Sequence, residues 1–340
     1  MRTMKAIQIH RFGAEDVMQL DTDVPVPEVG PREILIKCAA SGINHSDLFI
    51  RENGNIHIGP GDLPLILGRE MAGVVAEIGE AVTEFKPGQR VVAMPAPQTR
   101  ATGLPGGKEY TGCYAEYVLA RPQDMRVVPD GVDMVTAAAT AWSWLTAWYV
   151  LEAAKIKAGD RALIHAGGSA LGTAAIQLAK HVGAMVMTTA GSAEKCARVK
   201  ELGADVAVNY HEADFVDAVP GFTDGRGLDV IVDVIAGEVL VKSLTQLAPG
   251  GRLIALGSLS GGSRELPPEL PGGRTARRFS ITSHLMEYTR SMEKLDEFFA
   301  LIESGKFKVI VDKVFPLAEA AAAHRYIEER RNFGKIVLTV

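Results

Sequence analysis

A glycine-rich turn between an apolar run and an amphipathic segment is the strongest constraint on the fold of this 340-residue chain. Residues 161–165 predict a short buried strand, and residues 170–180 predict a helix. The turn that joins them contains Gly167, Gly168, Ser169, Ala170, Leu171 and Gly172. Glycines permit a tight turn and let backbone N–H groups approach a ligand closely. Because a helix N-terminus carries the positive end of the helix dipole, the turn is predicted to bind the pyrophosphate of a dinucleotide.

The spacing departs from the strict Gly-x-Gly-x-x-Gly pattern, because Ser169 stands at the middle glycine. A glycine-rich turn without a ligand is the alternative, and the sequence context weighs against it. Strand-like and helical segments follow in alternation at 182–189, 194–202, 204–208, 228–234 and 252–256. Strands that alternate with helices predict a parallel, right-handed, doubly wound sheet.

The first part of the chain has a different pattern. Short strand-like runs separated by Gly and Pro occur at 5–10, 33–39, 72–78, 90–93, 115–118 and 125–127. They predict an irregular antiparallel, barrel-like domain with two long loops, 52–64 and 95–112. Near the C-terminus we expect a strand at 278–283, a helix at 291–303, and a terminal strand at 335–340 that returns to the first domain.

Composition excludes several classes of protein. The net charge of −5, with the signs interspersed, argues against a nucleic-acid partner. Cys38, Cys113 and Cys196 have no paired spacing, which indicates free thiols in a reducing compartment. The apolar run at 135–151 is too short and too polar to span a bilayer and predicts a buried helix. Because the N-terminus lacks a signal-peptide pattern, we expect a cytoplasmic protein without membrane association.

Several motifs together resemble the medium-chain dehydrogenase/reductase superfamily. They are 41–47, 67–75, 79–82, 86–91, 112–117, the glycine turn and 334–338. The resemblance implies an α/β fold with two domains. One is a GroES-like irregular β-barrel catalytic domain at 1–144, completed by 286–340, and the other is a doubly wound parallel-sheet Rossmann NADPH-binding domain at 145–285. It also implies an active site in the cleft between them.

Departures from that family indicate the branch. Asn44, Arg69 and Trp142 match the three positions that hold catalytic zinc in the alcohol dehydrogenases of this superfamily, and none is a normal zinc ligand. The structural zinc loop is also missing its cysteines, since 90–115 contains only Cys113. His45 is interpreted as a hydrogen-bonding loop residue rather than a metal ligand. The chain is therefore most similar to zinc-independent, zeta-crystallin-like quinone oxidoreductases, with no metal expected.

The cofactor is predicted from the absence of an acidic residue after the second strand of the parallel sheet. NAD-binding Rossmann folds place Asp or Glu after the second strand, where this chain has Thr-Thr-Ala-Gly-Ser at 188–192. This favours NADPH over NADH. By resemblance Ser192, Lys195 and Tyr210 hold the adenosine phosphate and ribose, although Lys195 on a solvated helix face is the alternative. The resemblance also places Asn44, Thr146, Leu256, Gly257, Ser258 and Asn332 near the nicotinamide half.

The predicted reaction is hydride transfer from NADPH to a quinone-type or other conjugated carbonyl acceptor. By resemblance Asn44 is the best-placed hydrogen-bond donor, and Trp142 is interpreted as a pocket wall, with Trp144 and Trp148 in the core. Arg69 is expected to pair with Asp47 or Glu70, or to contact substrate.

Two alternatives remain open. The first is an enone or enoyl-thioester reductase, in which His57 would replace the missing loop tyrosine as the acid. The second is a non-catalytic NADPH-binding member of the superfamily. By analogy with relatives, a homodimer is expected through an edge strand at Phe279–Ser283.

Overall fold

The computed structural model describes residues 2–55, 58–95, 112–280 and 288–340. It divides into two compact units. The discontinuous unit comprises Met1–Trp142 and Glu287–Val340, and the central unit comprises Ser143–Met286. His57 and most of the loop at 95–112 lie outside the described residues.

The strands, in chain order, are β1 Thr3–Ile9, β2 Met18–Pro25, β3 Ile34–Gly42, β4 Leu65–Ile66, β5 Met71–Ile78, β6 Arg90–Ala93, β7 Tyr117–Ala120, β8 Met125–Val127, β9 Arg161–Ile164, β10 Met185–Ala190, β11 Val206–Asn209, β12 Leu228–Asp233, β13 Leu247–Ala255, β14 Thr275–Arg278, β15 Val311–Pro316 and β16 Lys335–Thr339. The α-helices are α1 His45–Asn53, α2 Met134–Ala153, α3 Ala170–His181, α4 Ala193–Glu201, α5 Phe215–Thr223, α6 Gly237–Thr245, α7 Tyr288–Glu303 and α8 Ala320–Glu328.

The discontinuous unit is built mainly from antiparallel strands. Its larger sheet has the order β15-β16-β3-β5-β6-β8, with β7 also paired to β3, and its smaller sheet has the order β2-β1-β4. The expected antiparallel character of the first part of the chain is confirmed. The return of the C-terminal strand is also confirmed, because β16 pairs with β3 through Val337 and Gly42. The sequence interpretation missed β2, β4 and β15, as well as α8.

The central unit contains one parallel sheet with the order β11-β10-β9-β12-β13-β14. This confirms the doubly wound Rossmann-like architecture. Val230, Ile231 and Val232 are all buried, because a central parallel strand is covered on both faces. Helices α5 and α6 were missed.

The edge of this sheet corrects one expectation. In the described part of the chain the edge strand is β14, Thr275–Arg278, which ends where the expected strand at 278–283 was placed to begin. Phe279 adds one more bond through its N–H to the carbonyl of Ala255, at 2.8 Å. Residues 281–283 lie outside the described part.

Helix α2 confirms the predicted buried helix. Trp144 is buried as expected, whereas Trp148 is only partly buried and lies with its ring centroid 4.5 Å from that of Tyr149. In the described part of the chain, no helix is both long and apolar enough to cross a membrane.

Candidate functional site

Asn44 occupies the position just before helix α1, so His45 begins a helix and does not lie in the expected loop. Its backbone is extended, with φ −121° and ψ 150°, and its N–H donates to Asp47 Oδ2 at 2.8 Å. This bond stabilises the first turn, because an acid at the third helical position satisfies an N–H that the helix leaves open. The turn therefore fixes both Asn44 and Asp47 relative to the sheet.

The amide of Asn44 is held between two buried charges. Lys335 Nζ donates to Asn44 Oδ1 at 2.6 Å, and Asn44 Nδ2 donates to Glu70 Oε1 at 2.9 Å. Lys335 Nζ also lies 2.5 Å from Glu70 Oε1, and all three side chains are buried. Because an ammonium group can only donate, it faces the amide oxygen, and the orientation of the amide is determined.

Glu70 is fully engaged within the discontinuous unit. Its Oε2 accepts from the backbone N–H of Trp142 at 2.6 Å, while its carbonyl accepts from Ser41 Oγ at 2.8 Å. Sequence reasoning assigned no role to Glu70 or Lys335 in holding Asn44. The available signal was a charged residue at the start of each of two strongly apolar strands, Glu70 before β5 and Lys335 in β16.

Arg69 lies against Trp142, with its Cζ 5.3 Å from the indole ring centroid. Its nearest acid is Asp47, at 4.0 Å between Nε and Oδ1, which is beyond hydrogen-bonding distance. Both atoms are buried and have no hydrogen-bond partner among the described residues. The structure thus places Arg69 beside Asp47, while Glu70 pairs with Lys335.

Asp47 is the end point of a chain of buried hydrogen bonds. Its Oδ2 accepts from Tyr114 OH at 3.2 Å in addition to the Asn44 N–H. Burial raises the pKa of Asp47 to about 6, opposed by the nearby charge of Arg69. Burial, together with the Asp47 charge, raises the pKa of Tyr114 well above its ordinary value, so its hydroxyl stays protonated.

His324 continues this chain. Its Nε2 lies 3.2 Å from Tyr114 OH, and its Nδ1 lies 3.3 Å from Arg51 Nη1. Because a guanidinium only donates, Nδ1 is the acceptor and the imidazole proton is on Nε2. Burial and the charge of Arg51 lower the pKa of His324 to about 3, so the ring is neutral.

His45 is the first residue of α1, exposed, and not a loop residue. Among the described residues, no group of three or more His, Cys, Asp or Glu side chains is arranged to hold a metal ion.

In the central unit the predicted strand, glycine turn and helix are confirmed as β9, residues 165–169 and α3. Ser169 begins the helix and its Oγ accepts from the N–H of Gly172 at 2.9 Å. A side chain at Gly167 would collide with Thr188, and one at Gly172 would collide with the carbonyl of Ala166. The serine at the non-standard position therefore caps the helix, while the flanking glycines allow close packing.

The predicted adenosine-binding residues lie together at one end of neighbouring strands β10 and β11. Ser192 Oγ accepts from the N–H of Lys195 at 3.1 Å and begins α4. Tyr210 is 45% exposed, and its hydroxyl lies next to Gly191. The strand end at 188–192 contains no acid.

The remaining predicted residues divide between the two units. Leu256 donates its N–H to the carbonyl of Asp233 at 2.7 Å, and Gly257 follows with φ +75°. Ser258 Oγ donates to the carbonyl of Gly262 at 2.8 Å. Thr146 is buried in α2 in the central unit, whereas Asn332 lies in the discontinuous unit, where its Nδ2 donates to the carbonyl of Gly334 at 3.0 Å.

Comparison with known proteins agrees with this architecture. Residues 30–130 match the alcohol dehydrogenase GroES-like domain, and residues 202–338 match the zinc-binding dehydrogenase domain. The chain is 32% identical to quinone oxidoreductase of Sus scrofa, with 99% of this chain and 98% of the relative covered. It is 33% identical to 2-haloacrylate reductase of a Burkholderia species, with 98% of each covered.

Solved structures give the same result. Escherichia coli quinone oxidoreductase complexed with NADPH is 28% identical, with a TM-score of 0.88 over 99% of this chain and 100% of that one. The chain belongs to the medium-chain dehydrogenase/reductase superfamily, in its quinone oxidoreductase branch. It is accordingly an oxidoreductase.

Proposed function

We propose that this chain is an NADPH-dependent oxidoreductase that reduces a quinone-type acceptor without a catalytic metal. The observation that carries the proposal is the cluster of Asn44, Arg69 and Trp142 in the discontinuous unit. These residues match positions that bind zinc in other members of the superfamily. Their donor set contains an amide, a cation and an indole, and Arg69 places a fixed positive charge where a zinc ion would be repelled.

The residues of the central unit fit NADPH. The glycine turn leaves the N–H groups of Ala170 and Leu171 without an acceptor among the described residues, next to the N-terminus of α3. This arrangement suits a pyrophosphate. Ser192, Lys195 and Tyr210 would hold the adenosine phosphate and ribose, where an acid would repel the phosphate. Relatives bind this cofactor, as the Escherichia coli structure illustrates.

When bound, NADPH would supply a hydride from its nicotinamide ring. Reduction of a quinone places the hydride on the acceptor and negative charge on its oxygen, and a proton from solvent completes the hydroquinone. We assign Asn44 to donate to that oxygen. Its Nδ2 has a second N–H beyond the one bonded to Glu70, and Lys335 keeps the amide from turning. Trp142 would form a wall of the acceptor pocket.

Reduction of a conjugated carbon–carbon double bond is the second candidate. It is supported by the relative described as a 2-haloacrylate reductase, which is as similar to this chain as the quinone oxidoreductases are. In both reactions the negative charge develops on a carbonyl oxygen, so the same donor serves. The enoyl-thioester variant would need an acid such as His57, which lies outside the described residues.

A panel of acceptors tests the proposal. NADPH oxidation is measured with 1,4-benzoquinone, 9,10-phenanthrenequinone, an α,β-unsaturated ketone and crotonyl-CoA. We expect turnover with the quinones, unchanged after treatment with a metal chelator. Binding of NADPH without turnover of any acceptor would support the non-catalytic alternative, and loss of activity on chelation would contradict a metal-free mechanism.

We further propose that the protein forms a homodimer and resides in the cytoplasm. Strand β14 is an edge of the parallel sheet, and pairing of two copies there would form the homodimer. Cys38, Cys113 and Cys196 are free and buried, which agrees with a reducing, cytoplasmic compartment. Light scattering after size-exclusion chromatography tests the dimer, and a monomer at micromolar concentration would contradict it.

A further inference from the structure

Arg69 is a nearly buried cation for which the described part of the chain supplies no hydrogen-bond acceptor at Nε. Its side chain is 11% exposed, and its Nε is buried without a hydrogen-bond partner among the described residues. A guanidinium carries five N–H donors, and buried polar groups in folded proteins are almost always bonded. An arginine in this state indicates that part of its intended partner is a ligand.

The nearby acids do not fill this role. Asp47 stops 4.0 Å from Arg69 Nε because its Oδ2 is fixed by the Asn44 N–H and the Tyr114 hydroxyl. Glu70 is unavailable, since Oε1 accepts from Asn44 and contacts Lys335, while Oε2 accepts from the Trp142 N–H. The side chain of Lys335, in turn, is committed to Asn44 and Glu70. Of the two cations of the cluster, Lys335 and Arg69, it is Arg69 whose Nε is left to bind a ligand.

Trp142 defines how such a ligand would bind. The indole lies over one face of the guanidinium, at 5.3 Å from Cζ to the ring centroid. An aromatic ring on the face of the guanidinium leaves the N–H groups at its edge to form hydrogen bonds in the guanidinium plane. The planar pair of donors matches the two oxygens of a carboxylate, whereas a neutral carbonyl oxygen presents a single acceptor atom.

We propose that Arg69 binds a carboxylate of the acceptor, so that the preferred substrates are conjugated carbonyl compounds that carry a carboxylate. As a statement about substrates it rests on the proposed oxidoreductase function, while the binding of a carboxylate at Arg69 stands independently. It distinguishes this chain from a general quinone reductase. Asn44 would meet the developing oxyanion, and Arg69 would hold the group that stays charged throughout the reaction.

The test uses a pair of acceptors in which one has a free carboxylate and the other has it capped as an ester. 4-Oxo-4-phenylbut-2-enoate and its methyl ester contain the same conjugated ketone, and kcat/KM is measured for both with NADPH. For the native protein we expect kcat/KM for the carboxylate to exceed that for the ester by about tenfold or more. Arg69→Gln should lower kcat/KM for the carboxylate by about tenfold to a hundredfold more than it lowers kcat/KM for the ester. Arg69→Lys should retain part of the preference, and Arg11→Gln, which removes an exposed cation, should change neither value.

Calorimetry separates this inference from the proposed function. Binding of 3-benzoylpropionate, which is not reducible at a double bond, is compared with binding of its amide, for the native protein and both Arg69 variants. Carboxylate binding that Arg69→Gln weakens selectively supports the inference, even when no acceptor is turned over and the oxidoreductase proposal fails. Equal binding of acid and amide, or equal losses of both in a folded Arg69→Lys protein, would overturn it although quinone reduction persisted.

Discussion

Lys335 Nζ donates to Asn44 Oδ1 at 2.6 Å, across 291 positions of sequence. The same ammonium contacts Glu70, so one buried lysine both neutralises a buried acid and sets the orientation of the amide assigned to the reaction. This couples the stability of the discontinuous unit to the geometry of its candidate site.

Lys335→Met should be strongly destabilising. It leaves Glu70 buried without its counter-charge, and breaking a buried pair in this way costs about 3–5 kcal/mol. Urea unfolding measures the loss. Adding Glu70→Gln should restore part of the stability because no charge is then left unpaired, and Lys37→Met, at an exposed lysine of strand β3, is the matched control. If the double variant is no more stable than the single one, the buried-charge explanation is wrong.

Ala236→Gly should stabilise the central unit. Ala236 has φ 66° and ψ −166°, a conformation that glycine adopts readily and that strains a residue with a Cβ. Relief of about 1–3 kcal/mol of strain should outweigh the loss of one buried methyl, giving a net gain of about 1 kcal/mol. Ala197→Gly, within α4, should instead lose about 1 kcal/mol. Thermal unfolding of both variants measures whether their stabilities change in opposite directions, as expected.

The free energy of unfolding should decrease as the pH falls, because His324 is buried in its neutral form. Its folded pKa of about 3 lies below its ordinary value of 6.5, so the unfolded chain binds more protons between these values and stability decreases as the pH falls through 6.5. Between about pH 7.5 and 5.0 the contribution is about 2 kcal/mol. His324→Gln should lose less stability than the native protein over this interval in urea titrations. Exposed His211→Gln should follow the native profile, and parallel profiles for all three proteins would remove His324 from this role.

Carboxylate binding at Arg69 should be linked to proton uptake by Asp47. Burial raises the pKa of Asp47 to about 6, Arg69 and Lys335 act to lower it, and Glu70 acts to raise it. A further negative charge at Arg69 would raise this pKa more, so binding near pH 6.5 should take up a fraction of a proton. Calorimetry of 3-benzoylpropionate in two buffers of different ionisation enthalpy measures the uptake. In the Asp47→Asn variant the proton uptake should disappear. Uptake that persists in this variant would assign the proton to another group.

Lys195→Glu should discriminate between cofactors. A carboxylate near Ser192 and Tyr210 would repel the extra phosphate of NADPH, so its Kd should rise by about tenfold or more, with a smaller change for NADH. Fluorescence titration gives both constants. Lys200→Glu, which places the same charge on an exposed part of α4, is the control. Equal weakening of NADPH and NADH would mean that Lys195 does not contact the phosphate.

The local pattern was sufficient for the parallel sheet. β9 and α3 are adjacent in sequence, the turn between them is only a few residues long, and alternating strands and helices leave few topologies to choose from. The return of the C-terminal strand to the first domain was predicted as well, but its place beside β3 came from the structure. Helix α1 was not predicted, because its short segment follows Asn44 within a polar stretch and its first turn is closed by the carboxylate of Asp47.

By itself, the sequence determined the alternation of strands and helices and the small residues of the turn at 167–172. Those properties depend on residue type and local spacing. Only the tertiary structure decided that Glu70 pairs with Lys335 instead of Arg69, and that Arg69 lies beside Trp142 with its Nε unbonded among the described residues. Partners so distant along the chain are chosen by how β3, β5, β16 and α1 pack, and the energetic cost of a buried charge then selects the pairing.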